Sequence, residues 1–161
     1  MKQTRFRHLV ALILLMCCTL GYAQIFKFEG LTYNVIDESN RYVEVYRGAY
    51  TETVKIPSTV TIDGVKYTVT SIGKSAFRSC SSLRSITIPS SVTSIGKEVF
   101  ERCFSLTSVT IPSGVTSIGE RAFYSCENLR SITIPSSVTS IGDGAFRGCS
   151  RLTSVTIPSS V

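Results

Sequence analysis

Four cysteines fall at residues 80, 103, 126 and 149, each twenty-three positions after the one before. Thiols in a regular series could pair as disulfides or hold a zinc ion. The constant phase argues against both. Equivalent residues of a repeat stack like over like at about 4.8 Å. That is somewhat beyond the roughly 3.5–4.5 Å between β-carbons that a disulfide prefers. Four ligands strung evenly along a column cannot converge on one ion. A buried column of free thiols is expected, each cysteine acting as a small hydrophobe. Pairing of neighbours is the alternative.

A second set of candidates is acidic. Glu98, Glu101, Glu120, Glu127 and Asp143 lie between a recurring glycine and a recurring leucine, where the sequence varies most. Two carboxylates can hydrolyse a glycoside, but such chemistry needs a cleft and nothing in the pattern builds one. These five are expected to face solvent. No G-x-S-x-G motif is present, and the single histidine, His8, lies in a segment expected to be removed. Without it the chain has no side chain that titrates near neutrality unaided. The expectation is a protein that is not an enzyme, with no catalytic residue, metal site or cofactor.

The segment that carries His8 is MKQTRFRHLVALILLMCCTLGYA. It has a basic start, an apolar run from Leu9 to Leu20, and Gly21-Tyr22-Ala23 before Gln24, the pattern of a cleaved signal peptide. Twelve apolar residues are too few to cross about 30 Å of hydrocarbon. A lipid-anchored reading through Cys18 lacks the small residues expected before the cysteine. Residues 1–23 are read as a signal peptide cut near Ala23. The remainder carries fourteen basic and eleven acidic residues, a field too weak to suggest nucleic acid. No further apolar stretch approaches the length of a membrane span.

Stepping along the chain, the cysteines belong to a repeat. Ile88-Pro89, Ile111-Pro112, Ile134-Pro135 and Ile157-Pro158 mark its phase, and Phe77, Phe100, Phe123 and Phe146 recur in step. One unit reads I-P-S-[SG]-V-T-S-I-G-x-x-[AV]-F-x-x-C-x-x-L-x-S-[VI]-T. In Leu106, Val109 and Ile111 the last two alternate with Ser108 and Thr110, the period of a strand with one buried face. Proline ends that strand, since it gives no N–H to a ladder. Val115 to Ile118 is a second short extended piece. Glycine at 73, 96, 119 and 142 marks a turn that a β-carbon would obstruct. Ala122-Phe123-x-x-Cys126 has the spacing of one helical turn. No such coil buries its apolar residues alone; stacked coils share one core. The fold class expected is a solenoid, mainly β with short helical turns, built of 23-residue coils over residues 71–161.

Residues 24–70 follow another grammar. Glu29-Gly30 between Phe26-Lys27-Phe28 and Leu31 to Val35 reads as a tight hairpin. Asp63-Gly64 between Val60 to Ile62 and Val65 to Val69 reads as a second, Asp-Gly being the strongest short-range sign of a two-residue turn. Ile56-Pro57-Ser58 anticipates the repeat thirty-two residues before Ile88. This stretch is read as an N-terminal β-hairpin cap that hides the open end of the solenoid. At the other end the sequence stops a few residues into a new copy, which is read as a truncated reading frame.

The unit IPSSVTSIGxxAFxxCxxL, running from Ile88, Ile111 and Ile134, resembles the BspA-type leucine-rich repeats of bacterial surface proteins. The resemblance implies a leucine-rich solenoid, export to the cell surface or exterior, and roles in adhesion or protein binding. It implies no catalytic residues.

Outward positions of the repeated strand form columns: Ser85, Ser108, Ser131 and Ser154 in one, Thr87, Thr110, Thr133 and Thr156 in the next. Arg84, Thr107, Arg130 and Thr153 flank them. Small β-formers can simply keep a sheet soluble. As a surface they form a hydroxyl array suited to a protein or a glycan at a cell surface, and this is the expected binding face. The alternative is a structural spacer, or a fragment of a longer surface protein without activity of its own.

Overall fold

The computed structural model describes residues 24–161. The expected signal peptide lies outside them.

The chain begins with a hairpin of β1 (Ile25–Phe28) and β2 (Leu31–Asp37), and β3 (Tyr42–Val45) returns antiparallel beside β2. After β4 (Thr53–Lys55), a second hairpin joins β5 (Thr59–Ile62) to β6 (Val65–Ile72). Both turns stand where Glu29-Gly30 and Asp63-Gly64 place them. Each later coil adds two short strands. These are β7 (Ser85–Thr87) with β8 (Ser94–Ile95), β9 (Ser108–Thr110) with β10 (Ser117–Ile118), and β11 (Ser131–Thr133) with β12 (Ser140–Ile141).

The first strand of every coil joins one parallel sheet, in the order β4-β7-β9-β11. The second strand joins a longer sheet that runs β1-β2-β3-β6-β8-β10-β12, with β5 beside β6. From β7 onward the register between coils of the shorter sheet is 23 residues, as it is in the longer sheet from β6: Ser108 lies beside Ser131, and Ile118 beside Ile141. The inserted hairpin sets β4 thirty-two residues before β7, with Thr53 beside Ser85. Both sheets turn their apolar residues onto one core. Ile86, Val109 and Ile132 come from the shorter sheet, Ile95 and Ile118 from the longer, and Leu83, Leu106 and Leu129 lie between turn and strand.

Phe77, Phe100 and Phe123 are fully buried, and Phe146 partly. Their rings form a continuous offset stack with centroid separations of 5.4, 5.2 and 5.4 Å. Tyr50 closes the leading end of this stack, its ring 4.7 Å from that of Phe77. Its hydroxyl donates to the Tyr46 carbonyl and accepts from the Thr32 amide. Its polar tip is thereby satisfied although the residue is buried.

The segment expected as a helical turn is not one; no helix occurs among the described residues. Ala122 to Leu129 is instead a chain of three-residue-spaced turns, in which Tyr124 donates to Arg121, Cys126 to Phe123 and Leu129 to Cys126. Glu98, Arg102, Arg121 and Ser125 have φ of 57°, 60°, 53° and 54°, in the left-handed region closed to a right-handed helix. The reason lies in the next coil. This conformation sends the amides of Glu98, Phe100 and Arg102 to the carbonyls of Glu120, Ala122 and Tyr124, at 2.7–2.9 Å. A helical turn would point those N–H groups along its own axis.

The Pro residue opens the other corner. The Pro112 carbonyl accepts from the Val115 amide, and Pro89 and Pro135 do the same in their coils. Within this corner Ser91 and Ser137 each donate a hydroxyl to the preceding coil, to the carbonyls of Val69 and Val115 at 2.7 Å. Gly114 occupies the same position without a hydroxyl. A β-carbon there would meet only ordinary contacts at 3.5 Å. Gly114→Ser is therefore expected to add the missing bond to the Val92 carbonyl and raise stability by about 1 kcal/mol, read as a higher urea midpoint.

Candidate binding face

Geometry of the sheet face comes from alternation. In β7, β9 and β11 the central Ile86, Val109 and Ile132 point into the core, which turns both neighbours outward. Ser85, Ser108 and Ser131 are in register as one exposed column, and Thr110 and Thr133 pair in the next with Thr87 exposed alongside. Arg84, Thr107 and Arg130 are exposed beside them, tied coil to coil by Thr107 donating its amide to Arg84 and Arg130 donating its amide to Thr107. Neither Arg84 nor Arg130 forms an ion pair among the described residues. Their guanidiniums are not used by the fold.

The fourth members, Thr153, Ser154 and Thr156, are exposed but belong to no strand. The sheet gains residues at its other side instead. β4 pairs with β7 so that Thr53 lies beside Ser85 and Lys55 beside Thr87. Glu52 is hydrogen-bonded to the amides of Arg84 and Ser85. Val54-Lys55-Ile56-Pro57 has the same order as Ile86-Thr87-Ile88-Pro89, and that was the available signal for Thr53 and Lys55.

The acidic candidates part company. Glu127 and Asp143 face solvent, as expected, and Glu98 and Glu120 are half-buried. Glu101 is buried at 3% exposure, against the expectation of a solvent-facing residue. Its turn position packs between coils: Oε1 accepts from Arg78 Nη2 at 3.1 Å, and Arg102 Nε lies at 4.0 Å. Arg78 also reaches Glu98 at 3.1 Å. Lys97 pairs with Glu120 at 3.0 Å and holds that carboxyl below its usual range. The Arg78 and Lys97 pairs join successive coils. Among the described residues, no cluster of His, Cys, Asp or Glu is arranged to hold a metal.

The four cysteines of the repeat are free thiols, with Cys80, Cys103 and Cys126 buried and Cys149 partly so. Cys103, Cys126 and Cys149 each donate to the carbonyl of the phenylalanine one coil back, at 3.1 Å. Burial pushes all four thiols above their ordinary range, Cys103 and Cys126 most strongly. The unfolded chain then ionises first, near pH 9, and binds fewer protons than the folded one, so stability falls as pH rises through that range. Buried Tyr33 and Tyr50 act in the same sense. The urea midpoint is expected to stay flat through neutrality and fall above about pH 9. The fall should be smaller in a Cys103→Ala, Cys126→Ala double variant.

Residues 43–161 match the BspA type Leucine rich repeat region in six copies. The chain belongs to this family. Among solved structures, the BspA-type chain is similar to a leucine-rich repeat protein from Bacteroides capillosus. The two share 33% identity with a TM-score of 0.72, over 81% of this chain and 96% of that one. It is also similar to the T. pallidum leucine-rich repeat protein TpLRR, at 26% identity and a TM-score of 0.66, covering 84% and 72% of the two chains. The pneumococcal vaccine antigen PcpA shares the fold at 20% identity and a TM-score of 0.53, over 82% of this chain and 48% of PcpA. A search of curated proteins found no match. Family matching begins at residue 43, so the repeats take in β3 and β4. Among the described residues no helix is long and apolar enough to cross a membrane.

Proposed function

We propose that this BspA-type chain is an exported binding protein that engages a protein partner at a cell surface through the β4-β7-β9-β11 face. One observation carries the reading: Arg84 and Arg130, two coils apart, stand free of carboxylates beside an in-register field of hydroxyls. Arginine and small hydroxyl residues on a flat sheet give charge-assisted bonds without a fold-level cost. The basic start, apolar run and small residues of segment 1–23 support export. Coil spacing gives the face a height of about 15–20 Å, which is small for one side of a standard interface.

Beads coated with the protein are expected to be retained on cell surfaces and on immobilised surface-protein fractions. An Arg84→Glu, Arg130→Glu double variant should lose at least about ten-fold in apparent affinity while keeping the urea midpoint of the parent. Retention no greater than that of a scrambled-sequence control contradicts the reading, as does equal retention by the double variant.

A further inference from the structure

Beside the strand face, where the chain turns into β4 and β7, lies a cleft of about 410 Å³ between segment 47–51 and turn 78–82. This is within the range of small-molecule sites, about 300–1,000 Å³. The three columns of the sheet face do not include any of its lining.

Its chemistry is mixed in a specific way. Ala49, Tyr50 and Cys80 supply an apolar part, and Thr51, Ser79, Ser81 and Ser82 supply hydroxyls. Those four hydroxyls make no hydrogen bond within the described protein. Two guanidiniums complete the lining. Arg78 is fixed by Glu98 and Glu101, each at 3.1 Å, which takes two of its five N–H donors and leaves three. Arg47 is exposed and has no ion pair among the described residues. With Arg102 beside Glu101, three guanidiniums stand against two carboxylates. The amides of Ala49 and Thr51 also reach no backbone carbonyl.

The walls are held from both sides. Gly48 donates its amide to Ala76, and Cys80 donates its thiol to the Gly48 carbonyl. Tyr50 is pinned against Phe77 and by its two hydrogen bonds. Such support keeps donors in place before a ligand arrives, which lowers the ordering cost of binding.

We propose that this cleft binds an anionic sugar unit, a pyranose bearing a carboxylate or a sulfate. The oxyanion meets Arg47 and the free N–H groups of Arg78, the sugar hydroxyls exchange hydrogen bonds with Thr51, Ser79, Ser81 and Ser82, and the C–H face of the ring covers Ala49 and Cys80. A neutral sugar lacks the charge-assisted bonds, and a bare anion lacks the hydroxyl and ring contacts. The proposal goes beyond the protein-binding role of the strand face and does not depend on it.

The test is amide chemical-shift titration of the isotopically labelled protein with glucuronate, glucose 6-sulfate, glucose and acetate. Saturable shifts at residues 47–51 and 79–82 with glucuronate, with the sulfated sugar, or with both are the expected result; which of them binds identifies the anionic group. Arg47→Ala should weaken that binding at least about ten-fold, and Arg151→Ala, at the position of Ser82 three coils away, should leave it unchanged. Equal shifts with glucose overturn the role of charge. Equal shifts with acetate reduce the cleft to an adventitious ion site and overturn the sugar assignment. No shift at these residues with either anionic sugar overturns the proposal outright.

Discussion

Replacing Phe100 with alanine is expected to destabilise the protein by about 3–5 kcal/mol. The ring is fully buried between those of Phe77 and Phe123, at 5.4 and 5.2 Å. Removing it takes away the burial of one aromatic side chain and leaves a void bounded by two further rings. Neither neighbour can move in to fill it, because each is also stacked on the coil beyond, Phe77 on Tyr50 and Phe123 on Phe146. Net domain stabilities run at about 5–15 kcal/mol, so a large share is at stake. Phe146→Ala should cost clearly less, since Phe146 is only partly buried and is stacked on one side. Urea unfolding of the two variants checks both the size and the order. A loss below about 1 kcal/mol for Phe100→Ala would mean that the stack does not hold the coils together.

Gly119→Val is expected to cost about 3 kcal/mol, the upper part of the range for overpacking. Gly73, Gly96, Gly119 and Gly142 form a column at the end of the longer sheet. None of them has the positive φ that only glycine tolerates. Their constraint is the distance to the coil before: a β-carbon on Gly119 would press on the carbonyl of Gly96. That obstacle is backbone, itself held by hydrogen bonds from Gly119 to Ile95 and from Gly96 to Ile72. Relief would need two coils to separate. Gly114→Ala is the matched control, because a β-carbon at that site stays at 3.5 Å from its neighbours. The urea midpoint should fall sharply for Gly119→Val and hold or rise for Gly114→Ala.

Much of this architecture was legible because a repeat states each packing position several times. The Phe, Leu and Cys columns, the strand at Ser108–Thr110 and the two hairpin turns follow from phase and alternation alone. Glycine at 119 was legible as a place that excludes a β-carbon, although the obstruction is a neighbouring coil and not the turn itself. The turn segment was misread because Ala-Phe-x-x-Cys fits a helical period, and periodicity does not report the sign of φ. The last coil carried the missing clue. Gly144 and Gly148, with φ of 62° and 81°, stand where Arg121 and Ser125 stand one coil earlier, in the sequence Asp143-Gly144-Ala145-Phe146-Arg147-Gly148. Glu101 was taken for a surface residue because its partner Arg78 lies one coil away, at the far end of an alignment and not beside it in the chain. The cleft has the same origin. Segment 47–51 and turn 78–82 meet through the Gly48 carbonyl and Cys80, a contact between the leading segment and the first coil that no repeat pattern records.

The face, the cleft and the core all rest on successive coils lying in register. Amide hydrogen exchange at the turn segment measures that register most directly. The amides of Glu98, Phe100 and Arg102 lie in neither helix nor strand, yet each donates to the next coil. Exchange at these three, and at Arg121, Phe123 and Ser125, is expected to be slow and to need global unfolding. Exchange at the rate of an open surface turn would contradict the stacked arrangement.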